Sequence, residues 1–135
     1  MKKKICIVVA NYYPNISNDL IKGASIVLKK NRIKKFTTII TSGVFEIPVI
    51  VAKNIYKYNG FIALGCVIKG ETPHFDFISQ STINSIMHLS IIYKKPIGNG
   101  IITCLNIKQA LKRSNPKLKN KGGEAAEAAL SVLNS

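Results

Sequence analysis

The stretch GFIALGCVIKGETPHFDFISQSTINSIMHLSIIY (residues 60–93) changes its hydropathy pattern once, and that change decides the fold class. Residues 60–67 are a continuous apolar run, which is typical of a strand buried on both faces of a parallel sheet. Residues 69–73 include a glycine and a proline and predict a loop. From His74 to Tyr93 the sequence has the pattern of a long helix, so the stretch predicts a strand, a loop and a helix in succession.

The same alternation of strand and helix continues on both sides of this stretch. Further strands are predicted at residues 5–10, 36–41 and 96–103, and further helices at residues 46–57, 106–114, 122–134 and from Ser17 onward. We expect Ser17 to be an N-cap, and Gly43 to break the chain after the second strand because it can adopt a positive φ. Such alternation produces a parallel sheet with helices on both faces. We therefore predict an α/β protein with one domain over residues 1–135, a three-layer α/β/α sandwich around a four-stranded parallel sheet.

The composition is that of a globular protein. The 135 residues, 47% of them hydrophobic, suffice for one sizeable core. No apolar run approaches the roughly 20 residues of a membrane span, and the first one is shorter than the roughly 7–15 residues of the apolar region of a signal peptide, so we expect no membrane partner. The cysteines are odd in number and widely spaced: Cys6, Cys66 and Cys104. This usage indicates a reducing compartment, and we expect a cytoplasmic protein without a metal site.

The basic residues give the chain a formal net charge of +14, which attracts polyanions. All but two of the 20 basic residues are lysine, and the lysines are spread along the whole chain. Together with an excess of Ile and Asn, this spread indicates codon drift rather than selection for a partner. Base recognition relies mainly on arginine, and the chain has only Arg32 and Arg113. We expect the basic cluster at residues 29–35 to be a solvated helix end, and we expect no specific nucleic-acid partner.

Candidate functional side chains gather beyond the carboxyl ends of the predicted strands, where ligands bind in open parallel sheets. The loops at these ends are residues 11–16, 42–46, 67–74 and 103–106. Half of the six acids and one of the two histidines lie in or beside these loops: Glu46, Glu71, Asp76 and His74. The preference of acids for helix N-termini is an alternative explanation for Asp76 and Glu46.

The loop before the long helix combines an anion site with a proton carrier. Thr72 can cap that helix and Pro73 can occupy its first position, which leaves backbone N–H groups free to attract an anion. His74 would lie in the first turn, where the positive end of the helix disfavours the imidazolium form. A neutral histidine beside an anion site fits proton transfer during loss of phosphate. The structural alternative is a surface histidine that caps a helix.

Three other positions have both a chemical and a structural interpretation. Glu46 can accept hydrogen bonds from a polyol or can be an ordinary first-turn acid. Tyr12 or Tyr13 can stack on a flat heterocycle or can anchor its loop. Arg113 can bind phosphate through two parallel donors or can be a solvated residue at the end of a helix.

Several common catalytic motifs are missing from the sequence. The absence of GxGxxG, GxxxxGK[ST], GxSxG and HExxH argues against dinucleotide enzymes, P-loop NTPases, serine hydrolases and zinc proteases. Three function classes remain open: an enzyme, a binding module without catalysis, and a nucleic-acid binder. His74 favours the enzyme, because a pure binding module does not need a proton carrier beside an anion site.

Three motifs, GVFEIP (43–48), GCVIKGETPHFD (65–76) and NKGGEAA (120–126), resemble in order and spacing those of the lumazine synthase family. The resemblance implies a flavodoxin-like sandwich. It also implies small-molecule substrates: 5-amino-6-(D-ribitylamino)uracil condenses with 3,4-dihydroxy-2-butanone 4-phosphate to 6,7-dimethyl-8-ribityllumazine, with release of phosphate and water and without a cofactor or metal. It further implies a homo-oligomer, either a pentameric ring or a sixty-subunit capsid of twelve rings, with active sites between subunits.

The resemblance also implies roles for individual residues. Tyr12, in place of a commoner Phe, stacks on the pyrimidine, and His74 donates and accepts protons. The other residues that contact the ribitylaminouracil are Val44, Phe45, Glu46 (on the ribityl hydroxyls), Cys66, Val67, Ile68 and Asn99. The butanone phosphate is bound by Glu71, Thr72 and Arg113, and Lys121 matches a lysine of a nearby family loop. Asn99 and Arg113 come from the neighbouring subunit, and Asn99 makes part of the pocket wall polar where many members have Phe.

Overall fold

The computed structural model describes residues 3–135, and strands and helices alternate along them. The elements are β1 (Ile5–Ala10), α1 (Pro14–Lys30), β2 (Thr37–Thr41), a 3₁₀ turn (Val44–Glu46), α2 (Ile47–Lys53), β3 (Gly60–Ile68), α3 (His74–Tyr93), β4 (Ile97–Cys104), α4 (Ile107–Ser114) and α5 (Lys121–Leu133). The predicted bounds of β1 and α3 are confirmed to the residue.

The four strands form one parallel sheet in the order β2-β1-β3-β4. Ile5 pairs with Gly60 between β1 and β3, and Phe61 pairs with Ile97 between β3 and β4. The two inner strands, β1 and β3, are buried over nearly their whole length, which explains why their sequences are continuous apolar runs. The predicted three-layer, flavodoxin-like α/β/α sandwich is confirmed, and the parallel order places all four carboxyl ends at one edge of the sheet.

Two hydrophobic cores lie on opposite faces of this sheet. The first core joins alternate residues of the inner strands, such as Ile7 and Leu64, to α1 and α5. The second joins the intervening residues, such as Val8 and Phe61, to α2 and α3. Helices α1 and α5 pack closely because α5 begins with small residues: a Cβ on Gly122 would lie 2.1 Å from the Leu20 carbonyl oxygen.

Helix α1 begins at Pro14, three residues before the predicted start at Ser17. Proline fits the first helical position because its missing N–H would have no partner there. Ser17 is therefore not the N-cap but lies buried within the helix. Its hydroxyl donates hydrogen bonds to the carbonyl oxygens of Ala10, at 2.8 Å, and Tyr13, at 3.0 Å. The prediction that Ser17 caps α1 is wrong, because this hydroxyl bonds to the end of β1 instead.

Two other local expectations are wrong. Gly43 has an extended backbone, with φ −141° rather than a positive value. A Cβ at this position would lie 2.9 Å from Glu46 Oε1, so the glycine provides space rather than an unusual φ. Helix α2 ends at Lys53, before the predicted residue 57, and the Asn54 side-chain amide donates to the Ile50 carbonyl oxygen at 2.8 Å.

None of the helices within residues 3–135 combines the length and the apolar character required to cross a membrane.

Candidate active site

A cavity of about 250 Å³ opens at the carboxyl edge of the sheet. Four separate segments of the chain contribute its lining: Tyr12, Tyr13, Gly43, Val44, Cys66, Val67, Ile68 and His74. Six of these eight residues belong to the predicted site, and the other two are Tyr13 and Gly43. The structure therefore brings together the loops that follow β1, β2 and β3 with the start of α3.

The two tyrosines after β1 form one wall of the cavity. Their ring centroids lie 4.9 Å apart with the ring planes at 72°, an edge-to-face contact. Tyr13 is half-buried and packs against the first core, whereas Tyr12 is 72% exposed. Tyr13 therefore anchors the loop and Tyr12 remains free to stack on a ligand. The anchoring interpretation therefore applies to Tyr13, and the stacking interpretation stays a prediction for Tyr12.

The carboxyl end of β3 forms the apolar floor of the cavity. Cys66 is buried there, and Val67 and Ile68 are half-buried. Burial, with smaller contributions from the nearby thiol of Cys104, raises the pKa of Cys66 to about 12. Burial also raises the pKa of Cys104, although Arg113 and the contact with Cys66 oppose this effect. Because both thiols stay protonated near neutral pH, Cys66 contributes an uncharged wall and not a nucleophile.

The N-terminus of α3 borders the same cavity. The helix begins at His74, in agreement with the predicted bounds, and Pro73 is its N-cap residue. The expectation that Thr72 caps the helix and that Pro73 is its first residue is wrong. Thr72 Oγ1 accepts a long hydrogen bond, 3.4 Å, from the His74 backbone N–H. The amides of Asp76 and Phe77 donate to the Pro73 carbonyl oxygen. His74 thus lies in the first helical turn as predicted, and its weakly held amide is available to a bound anion.

The 3₁₀ turn after β2 carries the next group of predicted residues. Val44 is buried and lines the cavity, while Phe45 is 58% exposed. The Ser42 hydroxyl donates to Glu46 Oε1 at 3.5 Å, close to the limit for a hydrogen bond. The Glu46 carboxylate therefore retains nearly all of its acceptor capacity for a ligand.

Phe45, Glu46 and Thr72 are not among the residues that line this cavity, and neither are the remaining predicted residues. Glu71 is exposed in the loop before α3. Asn99 is exposed on β4, and its side-chain oxygen accepts a hydrogen bond from the Ile101 backbone N–H at 3.1 Å. Arg113 is half-buried near the end of α4, close enough to Cys104 to lower the pKa of that thiol. Lys121 opens α5 and forms a 3.2 Å salt bridge with Glu124.

Two lining residues, Tyr13 and Gly43, are absent from the predicted site, for different reasons. The sequence offers both tyrosines for stacking, but adjacent tyrosines cannot be separated into anchor and wall without the core they pack on. Gly43 was considered only for its backbone freedom. The signal for its actual role was its position three residues before Glu46, whose carboxylate occupies the space where a side chain would be.

The site so assembled has four chemical components. The lining provides an exposed aromatic ring, an apolar floor with the uncharged Cys66 thiol, and a helix N-terminus that carries an imidazole. The fourth component, the Glu46 carboxylate with free acceptor capacity, is not part of the lining and follows the lining residue Val44 by two positions. Such a set suits a flat polar heterocycle with a hydroxylated substituent, placed next to a group that becomes anionic.

Comparison with known proteins identifies the family. The profile of the 6,7-dimethyl-8-ribityllumazine synthase family matches residues 2–135. A 6,7-dimethyl-8-ribityllumazine synthase of Bartonella tribocorum is 43% identical over 98% of this chain and 91% of its own length. The enzyme of the same name from Buchnera aphidicola subsp. Baizongia pistaciae is 41% identical over 98% of this chain and 87% of its own. The chain therefore belongs to the 6,7-dimethyl-8-ribityllumazine synthase family, transferases of riboflavin biosynthesis.

Proposed function

We propose that this chain condenses 5-amino-6-(D-ribitylamino)uracil with 3,4-dihydroxy-2-butanone 4-phosphate at the carboxyl edge of the sheet, giving 6,7-dimethyl-8-ribityllumazine, phosphate and water. The observation that carries the assignment of the site is the convergence of Tyr12, Val44, Val67 and His74 on one cavity. These residues come from four segments that are far apart in the sequence, in a chain that belongs to this family.

The cavity binds the ribitylaminouracil. Tyr12 stacks on the pyrimidine ring, because its face is exposed while Tyr13 holds the loop in place. Cys66, Val67 and Ile68 form the floor, and the neutral Cys66 thiol avoids charge repulsion with the electron-rich ring. Val44 and Phe45 contact the ribitylaminouracil from the side of the 3₁₀ turn. The Glu46 carboxylate accepts hydrogen bonds from the ribityl hydroxyls, since the long contact from Ser42 leaves its oxygens free.

The phosphate of the second substrate binds at the N-terminus of α3. The positive end of this 20-residue helix and the weakly held His74 amide attract an anion, and Thr72 adds a hydroxyl donor. Glu71 precedes these groups and positions the hydroxyls of the ketose. A guanidinium would complete the site, but Arg113 of the same chain does not line the cavity. In our proposal the neighbouring subunit supplies Arg113, together with Asn99 and Lys121, so each site requires two subunits.

His74 moves the protons. The free amine of the pyrimidine attacks the ketone, and loss of water gives an imine. Removal of a proton from the adjacent hydroxyl-bearing carbon expels phosphate and leaves an enol, which tautomerises to a new carbonyl. The second nitrogen attacks this carbonyl, and loss of a second water closes the ring. His74 lies beside the phosphate site, where it can accept the carbon-bound proton and return one to a leaving oxygen. The helix N-terminus and Arg113 stabilise the charge that develops on the leaving phosphate.

A homo-oligomer is supported by the exposed apolar side chains of α3. Four apolar residues of this helix are buried, half-buried or packed against the core: Ile78, Ile83, Ile86 and Leu89. The exposed apolar residues of this helix are instead Phe77, Met87, Ile91 and Ile92, each more than half exposed. We propose that these residues are covered by neighbouring subunits in a pentameric ring, with the capsid as a further stage of assembly, in the cytoplasm.

The direct experiment mixes the purified protein with both substrates and follows phosphate release together with lumazine fluorescence. We expect stoichiometric phosphate and lumazine, and we expect His74→Ala and Arg113→Ala to be much slower than the wild type. Binding of the ribitylaminouracil without phosphate release would instead indicate a binding module without catalysis. Equal rates for the wild type and both variants would refute the assigned site.

A further inference from the structure

Two grooves larger than the active-site cavity open at the opposite end of the sheet, where the strands begin. One, of about 540 Å³, lies between the α1–β2 connection and the end of α5. The other, of about 640 Å³, runs along the starts of β1 and β2 to the loop before β3. Lys3 and Lys35 line both, so together they form one continuous surface, which we call the amino-edge groove.

The amino-edge groove is strongly cationic. Its charged lining consists only of basic residues: Lys3, Lys4, Arg32, Lys34, Lys35 and Lys57. Among residues 3–135, no carboxylate lies within salt-bridge distance of any of these six side chains, and Lys121–Glu124 is the only ion pair. Helices α1 and α5 end at the groove, but their two C-termini contribute only about −0.5 charge each. The surface therefore keeps most of its positive charge, because the six acids of the chain lie elsewhere.

Arg32 occupies a backbone position that favours glycine. Its φ is 67°, in the left-handed region. The Arg32 and Ile33 amides donate to the carbonyl oxygens of Lys29 and Leu28, the hydrogen bonds that close a helix with a C′ residue in this conformation. Glycine adopts this conformation at lower cost than any residue with a side chain. One of the two arginines of the chain is thus placed in the groove lining at the expense of backbone strain.

An exposed aromatic ring lies on the same surface. Tyr56 lines the groove beside Lys57 and is 82% exposed. Tyr93 meets its ring edge-on at a centroid distance of 5.7 Å, and the Lys95 ammonium lies 5.8 Å from its centroid. These contacts hold the ring without covering it. A cationic groove that follows a backbone, together with an aromatic ring for a base, is the arrangement with which proteins bind single-stranded nucleic acid without sequence preference.

We propose that the amino-edge groove binds single-stranded nucleic acid without sequence preference, with phosphates on the lysines and Arg32 and one base stacked on Tyr56. This inference goes beyond the proposed function, because the groove and the active-site cavity lie at opposite ends of the sheet and share no lining residue. The absence of a specific nucleic-acid partner stays an expectation, since neither the lysines nor a stacked tyrosine reads base identity.

The test measures fluorescence anisotropy of a labelled oligouridylate of about 16 nucleotides, the upper end of single-strand site sizes, over a range of salt concentrations. The double variant Lys3→Gln/Lys35→Gln should weaken binding at least fivefold. It should also reduce the slope of log affinity against log salt concentration by about 1.4, or 0.7 for each lost phosphate contact. Tyr56→Ala should weaken binding about fivefold or more, and Tyr56→Phe should bind like the wild type. Arg32→Gly should bind more weakly while its melting temperature stays the same or rises, which separates ligand contact from folding.

Matched control variants show whether the affinity depends on where the lysines lie or only on the total charge of the protein. Lys22→Gln/Lys119→Gln removes the same charge from exposed positions outside the groove and should leave the affinity nearly unchanged. An equal loss of affinity in this control would overturn the proposal. So would equal affinity for an RNA duplex, or oligouridylate binding that Tyr56→Ala does not weaken, because these results would show attraction of any polyanion. Failure to bind the oligouridylate at low salt would also overturn it, whatever the enzyme's activity.

Discussion

The Ser17 hydroxyl, buried in the first turn of α1, donates a 2.8 Å hydrogen bond to the carbonyl oxygen of Ala10, the last residue of β1. A second bond from the same hydroxyl reaches the Tyr13 carbonyl oxygen. Between these two residues lies Tyr12, the proposed stacking residue. The Asn11 amide donates to the Thr41 carbonyl oxygen at 2.9 Å and ties the same loop to β2. The loop that presents Tyr12 is thus fixed from both sides.

Ser17→Ala should lower the free energy of unfolding by about 1–3 kcal/mol, because the Ala10 carbonyl oxygen would remain buried without this donor. The variant should also raise KM for the ribitylaminouracil more than it lowers kcat, since it loosens the Tyr12 loop and leaves His74 in place. Ser25→Ala on the same helix is the matched control and should change both quantities little. Denaturant unfolding and steady-state kinetics measure the two effects. An unchanged KM would show that the hydrogen bond does not position Tyr12.

Tyr12→Ala should weaken binding of the pyrimidine substrate by about 1 kcal/mol, the typical value of an aromatic stacking contact, and Tyr12→Phe should restore it. The hydroxyl is not needed for stacking, so the two variants separate the ring from its polar group. Titration of each variant with the ribitylaminouracil alone, in the absence of the second substrate, gives the affinities. Equal affinities of Tyr12→Ala and the wild type would show that the pyrimidine ring does not stack on Tyr12.

Gly43→Ala should weaken substrate binding by the Glu46 carboxylate, although the carboxylate itself is still present. The new Cβ would lie 2.9 Å from Glu46 Oε1, so the carboxylate must move away from its present position. We expect a raised KM for the ribitylaminouracil, similar in direction to the effect of Glu46→Gln. Ser42→Ala, which deletes only the 3.5 Å contact to the same oxygen, should have a much smaller effect. If Gly43→Ala behaves like the wild type while Glu46→Gln does not, the close approach is not important for binding.

The buried thiols should make the folded state less stable at alkaline pH. Burial raises the pKa of Cys6 from 9.0 to about 11 and that of Cys66 to about 12, and it also raises the pKa of Cys104. Above pH 9 the unfolded chain loses thiol protons that the folded chain retains, so the free energy of unfolding falls as the pH rises from about 9 to 12. Below pH 9 these thiols contribute no pH dependence. Cys6→Ala/Cys66→Ala should show a shallower alkaline decline in urea unfolding, and an identical decline would contradict the prediction.

Much of the fold could be predicted from the sequence because its signals are local. The apolar run Ile5–Ala10 and the segment Thr72-Pro73 mark the bounds of β1 and α3 without any tertiary contact. The start of α1 could not be predicted in this way. Ser17 has the chemistry of an N-cap, but its hydroxyl bonds to Ala10, a contact that exists only after the strand and the helix have packed together. The order of the strands is likewise decided by packing across the sheet and not by any single segment.

The candidate site likewise has some features that local sequence predicts and others that depend on tertiary contacts. The loops could be predicted because carboxyl ends of parallel strands meet at one edge, and the structure places Tyr12, Val44 and His74 around one cavity there. The separate roles of Tyr12 and Tyr13 depend on which ring the core covers. In the proposed ring, the roles of Asn99, Arg113 and Lys121 depend on a neighbouring subunit, a contact that no local sequence pattern of a single chain encodes.

His74→Ala should retain some turnover, because general acid–base catalysis contributes typically 10²- to 10⁴-fold. Arg113→Ala should be impaired more severely, since the other arginine, Arg32, lies in the amino-edge groove at the opposite end of the sheet and cannot bind the phosphate through two donors. Single-turnover phosphate release quantifies both variants. A rate for Arg113→Ala close to that of the wild type would remove this residue from the site.

In the proposed ring, each active site takes His74 from one subunit and Arg113 from the next. Mixing the two variants tests this directly: His74→Ala and Arg113→Ala chains are unfolded together in equal amounts, refolded, and assayed for lumazine formation. If the subunits assemble at random in a ring, about one quarter of the sites will combine an intact His74 with a neighbour's intact Arg113, so about one quarter of wild-type activity should return. Activity that remains at the average of the two separately refolded variants would show that both residues act within a single chain, and would contradict the shared site.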